Sequence, residues 1–228
     1  MTVYGISQTI LIGGLDKQYA LIHKLQPACL IGNNHHKSPF PGEDFQMFER
    51  DLPGENKAGL SGQSISTLPL ETCETMNGMW GYKIKDQNYK SVNELIHLLV
   101  RAAGKGANLL MNIGPQPNGE LPAVAVERLK GVGEWMSKYG ETIYGSTSGN
   151  VVTASWGTTT RKGNTLYIHI LSQKMPEFVT LPLNEKVVSA TLFDTGEKVK
   201  YEKIQGGIVL HTANLKPSVD CIISLKLK

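Results

Sequence analysis

Three kinds of signal are absent from this chain of 228 residues. No run approaches the roughly 20 apolar residues that a membrane-spanning helix needs. Cys29, Cys73 and Cys221 lie far apart, which excludes a dense disulfide framework and a CxxC metal site. Since its 23 basic and 20 acidic residues are spread along the whole length, no basic stripe predicts binding to nucleic acid or to an anionic membrane. What remains is the composition of a globular protein with one large or two modest domains.

A positively charged leader is absent too, so the N-terminus does not predict a signal peptide. Cytoplasmic residence is therefore the default expectation. The segment 9–12 instead predicts a short buried strand, and Gly13 and Gly14 predict the loop that follows it. Because the chain opens on a core strand, we expect that upstream sequence has been lost.

The first 147 residues alternate short apolar runs with amphipathic segments. These patterns predict helices at residues 17–25, at 92–103 and after Pro122, and strands at 28–31 and 107–113. Ser91 followed by Glu94 predicts a capping box at the start of the second helix. Alternating strands and helices are typical of a parallel α/β fold, here a partial (β/α) barrel of the TIM type.

The pattern changes after Thr147, where short alternating runs are separated by turn residues. Seven strands are predicted at 151–156, 165–171, 178–183, 187–193, 199–204, 207–212 and 221–227. Strands at roughly ten-residue spacing are typical of an antiparallel β-sandwich. We therefore expect two domains, a barrel portion at 1–147 and a sandwich at 148–228. His169 and His211 lie in predicted strands of the sandwich and are interpreted as structural.

The stretch from Gly32 to Gly54 is unusually polar. It holds two histidines and, after a Pro-Phe-Pro-Gly turn, a series of carboxylates and an Arg-Asp pair. Ionisable groups stay unburied unless they are paired or used, so we expect this stretch to form the rim of a pocket. For residues 49–51 the expected arrangement is a surface ion-pair network.

Trp80, between Met79 and Gly81, has two interpretations of similar weight. It is either a buried core tryptophan or a platform on which a sugar stacks, because an indole ring suits both uses.

Four segments of the chain resemble the C-terminal part of α-L-fucosidases of glycoside hydrolase family twenty-nine. They are HKLQPACLIGNNHH, PFPGEDFQMFERDLPGENKAGLSG, LPLETCETMNGMWGYKI and AAGKGANLLMNIGPQPNGELP, and the similarity runs from about Val3 to the last strand. The resemblance implies a catalytic (β/α) barrel followed by a C-terminal β-sandwich. It also implies hydrolysis of terminal α-L-fucose with retention of configuration, without a metal or any other cofactor.

A retaining glycosidase needs two carboxyl groups about 5–5.5 Å apart, one as nucleophile and one as acid/base. The resemblance assigns the acid/base to Glu43, with Glu49 and Glu55 as the alternatives. Members of the family carry the nucleophilic aspartate in a Trp-Phe-Asp-Gly context, and Gly13 occupies that position here. Glycine offers no nucleophile.

Three ways of replacing the missing nucleophile stay open: Asp16, Asp44 or a carboxylate from a second subunit. The resemblance further implies that His35 and His36 reach the sugar or the nucleophile, and that Trp80 packs against the C6 methyl group of fucose. A truncated barrel exposes strand edges and helix faces, so a homo-oligomer that covers the open barrel is expected.

Three functions compete at this point. The first is an active but reduced fucosidase acting on a fucosylated glycan or fucoside. The second is a catalytically dead fragment or fucose-binding pseudoenzyme, and the third is a sandwich that serves alone as a carbohydrate-binding module. Relatives in the family are often secreted, periplasmic or lysosomal, in contrast to the cytoplasmic default.

Overall fold

The computed structural model describes residues 2–3, 14–32, 34–149, 151 and 154–228. The chain divides into two compact units, of which the first comprises Met1–Asn88 and Ala107–Glu120 and the second Tyr89–Gly106 and Leu121–Lys228. The strand predicted at 9–12 and the position of Gly13 lie outside the described residues. Among the described residues, no helix is long and apolar enough to cross a membrane.

Parallel strands form the first unit. Its elements are β1 (Thr2–Val3), α1 (Leu15–Leu25), β2 (Leu30–Ile31), β3 (Gln46–Glu49), β4 (Leu70–Thr75) and β5 (Ala107–Asn112). β1 pairs in parallel with β2, and β3, β4 and β5 form a second parallel sheet in that order. A single parallel bridge between Gly32 and Phe45 continues the pairing from β2 to β3. The predicted partial parallel barrel is thereby confirmed.

β3 corrects the expectation for the polar stretch. Phe45, Met47 and Phe48 are buried, so the middle of the stretch is a core strand and only its flanks are available to a pocket. Strands buried on both faces lack a polar-apolar alternation, and β3 has only four residues. That is why the sequence pattern did not reveal it. β4, with the largely polar sequence LETCET, was not predicted either.

The helix predicted at 17–25 is α1, but its burial differs from a simple amphipathic pattern. Tyr19 is its buried residue, whereas Leu21 and Leu25 are 55% and 76% exposed. α1 therefore presents a largely exposed apolar surface at Leu21 and Leu25.

Two helices and two antiparallel sheets form the second unit. They are α2 (Val92–Gly104), α3 (Ala123–Tyr139), a 3-10 turn (Gly140–Thr142), β6 (Thr147–Ser148), β7 (Gly157–Lys162), β8 (Thr165–Ile170), β9 (Phe178–Pro182), β10 (Val187–Leu192), β11 (Tyr201–Ile204), β12 (Gly207–His211) and β13 (Cys221–Leu227). The sheet orders are β10-β13-β8-β7-β6 and β11-β12-β9. Apolar side chains of both sheets, among them Ile168, Leu181, Leu210 and Ile223, form one buried core. The predicted antiparallel sandwich is confirmed.

The capping box at the start of α2 is confirmed as well. The Glu94 amide donates to Ser91 Oγ at 3.2 Å, and the Ser91 amide donates to Glu94 Oε2 at 2.7 Å. The hydrogen bonds that the Ser91 amide and the Ser91 hydroxyl donate to Glu94 Oε2 hold the pKa of the Glu94 carboxyl below its usual value. Each partner lies within three residues of the other, so this signal was complete in the sequence.

Both helices of the second unit pack with sandwich residues. Ile96 and Val100 of α2 and Trp135 of α3 share a buried cluster with Tyr167 and Ile222. The second compact unit therefore includes α2 and α3 as well as the sandwich. The domain boundary near Thr147 stays a prediction.

The first predicted sandwich strand is displaced along the chain. We expected residues 151–156, of which Val152 and Thr153 lie outside the described part, whereas Ser155 and Trp156 form a turn. The strand that pairs with β8 is instead β7, with the sequence GTTTRK. Its threonines are fully buried although they carry hydroxyl groups. A search for runs of apolar residues therefore selects VVTASW and overlooks the threonine-rich segment that follows it.

His169 is part of a buried polar network in the sandwich. Its Nδ1 lies 2.7 Å from Asp220 Oδ2, and its Nε2 lies 3.0 Å from Thr160 Oγ1. The Thr160 hydroxyl in turn donates to the Thr142 carbonyl at 2.7 Å. His211 contacts Glu202 and the ring of Phe178 on β9. Both histidines therefore have the structural contacts that the sequence led us to expect.

Candidate active site

Polar side chains gather at the carboxyl ends of the parallel strands in the first unit. Asn34 and His36 follow β2, Glu49 ends β3, Thr75 ends β4 and Asn112 ends β5. In parallel α/β barrels this edge carries the catalytic groups, because the loops that follow the strands converge there. We therefore take it as the candidate site.

Glu49 is a partly accessible carboxylate at this edge. Its side chain is 18% exposed, Asn34 Nδ2 donates to its Oε2 at 2.6 Å, and His36 Nε2 lies 3.6 Å from the same oxygen. In the sheet register Glu49 pairs with Cys73. Burial raises the pKa of the Cys73 thiol to about 12, and the charge of Glu49 adds to the shift. Glu49 thus has polar partners in Asn34 and His36 and a buried neighbour in Cys73.

The backbone around Glu49 adopts unusual conformations. Among the described residues other than glycine, His36 and Arg50 are the two with positive φ, at 58° and 59°. Such left-handed residues cost on the order of 1–3 kcal/mol and persist only where the surroundings hold them. Both adjoin Glu49, in space or in sequence, which supports a functional role for this part of the chain.

Glu43 occupies a different environment. Its side chain is only 2% exposed. Oε1 accepts from the Tyr19 hydroxyl at 2.9 Å and lies 3.0 Å from His35 Nε2, and Oε2 accepts from the Phe40 amide at 3.0 Å. Because His35 Nδ1 accepts from the Lys37 amide, its Nε2 is the nitrogen that donates to Glu43. Both carboxylate oxygens are thus engaged in holding the loop after β2.

No described contact joins Glu49 to Asp16, Asp44 or Glu55, the other carboxylates that the sequence offered as candidates for catalysis. Asp44 Oδ2 accepts from the Ile31 amide at 2.7 Å and lies 3.3 Å from His23 Nε2. Asp16 is exposed in the first turn of α1. Glu55 forms a 2.8 Å ion pair with Lys57. Asp44 therefore anchors β2, Asp16 lies at a helix terminus and Glu55 belongs to a surface ion pair.

The ion-pair network expected for residues 49–51 is wrong, because each residue has partners elsewhere. Asp51 is 2% exposed, and its carboxylate accepts from the backbone amides of Lys57 and Ala58. The Arg50 guanidinium lies 5.0 Å from the Trp80 ring centroid and donates to the Gly78 carbonyl at 2.9 Å.

Trp80 combines features of both of its interpretations. It packs against Phe45, Met47 and Cys73, yet it remains partly exposed. Its carbonyl accepts from Asn112 Nδ2 at 2.7 Å. The ring is thus both anchored to the core and available at the site.

Sequence reasoning did not select Asn34, Arg50, Thr75 or Asn112 as site residues. A usable signal existed for two of them, since Asn34 follows a predicted strand and Asn112 lies near the end of another. Arg50 and Thr75 belong to β3 and β4 or their ends, which the sequence pattern did not reveal. No group of three or more His, Cys, Asp or Glu side chains that could hold a metal ion occurs among the described residues.

Comparison with known proteins provides independent information about this arrangement. Residues 13–141 match the family model described as alpha-L-fucosidase. A tissue alpha-L-fucosidase of Macaca fascicularis is 31% identical over 172 residues, which cover 72% of this chain and 34% of that protein. An alpha-L-fucosidase of Dictyostelium discoideum is 30% identical over 162 residues, covering 64% of this chain and 35% of that protein.

Solved structures agree with the sequence comparison. Alpha-L-fucosidase isoenzyme 1 from Paenibacillus thiaminolyticus superposes with a TM-score of 0.79 at 29% identity, covering 100% of this chain and 57% of that one. A family twenty-nine alpha-L-fucosidase from Bacteroides thetaiotaomicron, trapped as a covalent intermediate, gives a TM-score of 0.77 at 25% identity over 93% of this chain and 52% of that one. The chain therefore spans about a third of these curated relatives and about half of these structures.

Proposed function

Since this chain belongs to the α-L-fucosidases of glycoside hydrolase family twenty-nine, we propose that it contributes the acid/base half of a site that hydrolyses terminal α-L-fucosides. The observation that carries the proposal is Glu49, an accessible carboxylate at the carboxyl end of β3 with Asn34 and His36 beside it. A relative trapped as a covalent intermediate supports the retaining, two-carboxylate mechanism for the substrate class.

Among the three acid/base candidates, the contacts favour Glu49 over Glu43 and Glu55. A general acid must reach the glycosidic oxygen within hydrogen-bond distance. Glu49 is partly open to solvent, whereas both oxygens of Glu43 accept hydrogen bonds inside the protein. Glu55 pairs with a surface lysine. This reverses the order that the resemblance suggested, and it leaves Glu43 the task of holding His35.

The proposed chemistry proceeds in two displacements. Protonated Glu49 donates its proton to the glycosidic oxygen while a carboxylate nucleophile attacks the anomeric carbon and the bond to the leaving group breaks. The ionised Glu49 then takes a proton from water, whose oxygen attacks the anomeric carbon and releases the nucleophile. Asn34 and His36 hold Glu49 at the edge of the sheet throughout.

The nucleophile is proposed to come from outside the described contacts of this chain. No described contact joins Asp16 or Asp44 to Glu49, and Asp44 is engaged by the Ile31 amide. A carboxylate from a second subunit is the alternative that fits these observations.

Substrate binding is assigned to His36 and Trp80. The indole offers an apolar surface for the C6 methyl group of fucose, and loss of such a contact weakens binding by roughly 1–3 kcal/mol. His35 is the less suitable of the two histidines because its ring nitrogens contact Glu43 and the Lys37 amide.

Exposed leucines support the proposed homo-oligomer. Leu21, Leu25 and Leu30 in the α1 and β2 region are 55%, 76% and 59% exposed, and large exposed apolar surface is usually covered by a partner. Light scattering is expected to give at least twice the mass of one chain. Leu25→Glu should lower that mass, while the control Leu129→Glu, on α3, should not. A wild-type monomer would contradict the proposal.

Hydrolysis of an aryl α-L-fucoside tests the proposed function. Release of the phenol, with α-L-fucose as the first anomer seen by NMR, is the expected result. Absence of hydrolysis combined with saturable binding of methyl α-L-fucoside would favour the pseudoenzyme instead. That second candidate is kept because no described contact joins Glu49 to Asp16 or Asp44, the two carboxylates of this chain considered as nucleophiles. Absence of both hydrolysis and binding would exclude both functions.

A further inference from the structure

Arg50 makes contacts that the proposed acid/base mechanism does not require. Its guanidinium lies 5.0 Å from the Trp80 ring centroid, and one of its nitrogens donates to the Gly78 carbonyl at 2.9 Å. A cation over an indole ring is attracted by the ring quadrupole, and arginine adds planar stacking to this attraction. One side chain thus contacts both the ring of Trp80 and the backbone of the segment that carries it.

The backbone on both sides of Arg50 is held in place. Glu49 before it belongs to β3, and Asp51 after it is buried, with its carboxylate accepting from two backbone amides. Between them Arg50 adopts φ of 59°, a conformation that side chains other than glycine rarely take. Because of this left-handed backbone, the Arg50 side chain leaves the chain in a direction that the regular alternation of β3 would not give it. The conformational cost is consistent with a side chain that must point toward Trp80.

The segment around Trp80 is positioned from its other end by two polar side chains. Asn112 Nδ2 donates to the Trp80 carbonyl at 2.7 Å, and the Thr75 hydroxyl lies 3.0 Å from the Met79 carbonyl. At Gly114 a Cβ atom would lie 2.4 Å from the Tyr82 amide nitrogen, so the chain that follows β5 packs directly on this segment. The backbone is therefore fixed by these contacts, which leaves the orientation of the indole ring to its side-chain neighbours.

We propose that Arg50 is a positioning residue that fixes the indole ring of Trp80 relative to Glu49. Arg50 follows Glu49 directly, and Trp80 packs against the buried cluster that contains Cys73, the register partner of Glu49. The ring that receives the apolar face of the sugar is thereby tied to the strand end that carries the acid. The effect on sugar binding and turnover rests on the proposed function, whereas the ordering of the Trp80 ring by Arg50 does not.

Acrylamide quenching of Trp80 fluorescence tests the structural content without any substrate. The Trp80 contribution is obtained as the difference between each protein and its Trp80→Phe counterpart. Arg50→Ala is expected to raise the Trp80 quenching constant about twofold or more, because the guanidinium no longer shields the ring. Arg50→Lys keeps a cation and should lie between the two, and it serves also if the alanine variant folds poorly. Arg128→Ala, at an exposed ion pair on α3, is the matched control. An unchanged quenching constant in both Arg50 variants overturns the proposal.

Sugar binding and kinetics test the positioning role. With methyl α-L-fucoside as the probe, Arg50→Ala is expected to weaken binding about tenfold. With an aryl fucoside, KM should rise by a similar factor while kcat changes much less, and Arg50→Lys should restore part of the loss. Increased quenching with unchanged binding and KM would overturn the positioning role. If the wild type neither binds nor hydrolyses fucosides, the proposed function fails, whereas the quenching result still decides whether Arg50 orders Trp80.

Discussion

Replacing Glu49 with Gln is expected to lower kcat on an aryl α-L-fucoside by about 10²–10⁴, the range that a general acid or base contributes. Glutamine neither protonates the glycosidic oxygen nor accepts a proton from water. It does keep the shape of the side chain and an oxygen that accepts from Asn34, so the fold should persist.

Leaving-group dependence makes this prediction more specific. A phenol that departs without protonation should suffer less from the substitution than a sugar or an alkyl alcohol. Added azide should restore turnover and form fucosyl azide, because azide attacks the intermediate without a general base. Rates measured against a series of phenols, with product identification by mass spectrometry, check both points.

Glu43→Gln and Glu55→Gln are the matched controls. Glu43→Gln removes an acceptor for Tyr19, His35 or Phe40, so its effect should appear as lower stability, without azide rescue. Glu55→Gln should leave kcat nearly unchanged, since it breaks only a surface pair. Rescue by azide in Glu43→Gln and not in Glu49→Gln would reverse the assignment.

Replacing Asp220 with Ala is expected to lower the free energy of unfolding by about 3–5 kcal/mol, the usual cost of removing one partner of a buried pair. The Thr142 carbonyl only accepts, so Thr160 donates to it and His169 Nε2 donates to Thr160. His169 Nδ1 then has Asp220 as its partner, with both side chains fully buried. The substitution leaves that nitrogen without a hydrogen bond in a site that water does not reach.

Denaturant unfolding followed by tryptophan fluorescence measures this loss, because Trp135 and Trp156 both pack within the second unit. Glu185→Ala is the control in the same sandwich. It removes a 2.6 Å pair with Arg161 that is open to solvent, so a much smaller loss is expected. Similar losses in the two variants would contradict the structural importance of the buried network.

Local signals explain which elements were predictable. The capping box of α2 joins residues three positions apart, and six of the seven predicted sandwich strands overlap observed ones. β3 and β7 were missed because their identity as strands depends on neighbouring strands. β3 is too short to show a period, and β7 buries threonines that pair with β8.

The sequence predicted which region of the chain forms the candidate site, but not which contacts each of its side chains makes. The stretch from Gly32 to Gly54 does hold Glu43 and Glu49, yet Glu43 is closed off by Tyr19, which is 24 positions away in the sequence. Adjacent histidines also have different partners, because the left-handed backbone at His36 turns it toward Glu49 while His35 contacts Glu43.

The sequence by itself determined the family, the parallel and antiparallel halves of the fold and the segment that carries the candidate acid. Each of these depends on local strings, periodicity or residues a few positions apart. Only the tertiary structure decided which carboxylate is accessible, that Arg50 covers Trp80 and that His169 is buried with Asp220. Those facts depend on residues 24 to 51 positions apart that meet only when strands pair and side chains lose their contact with water.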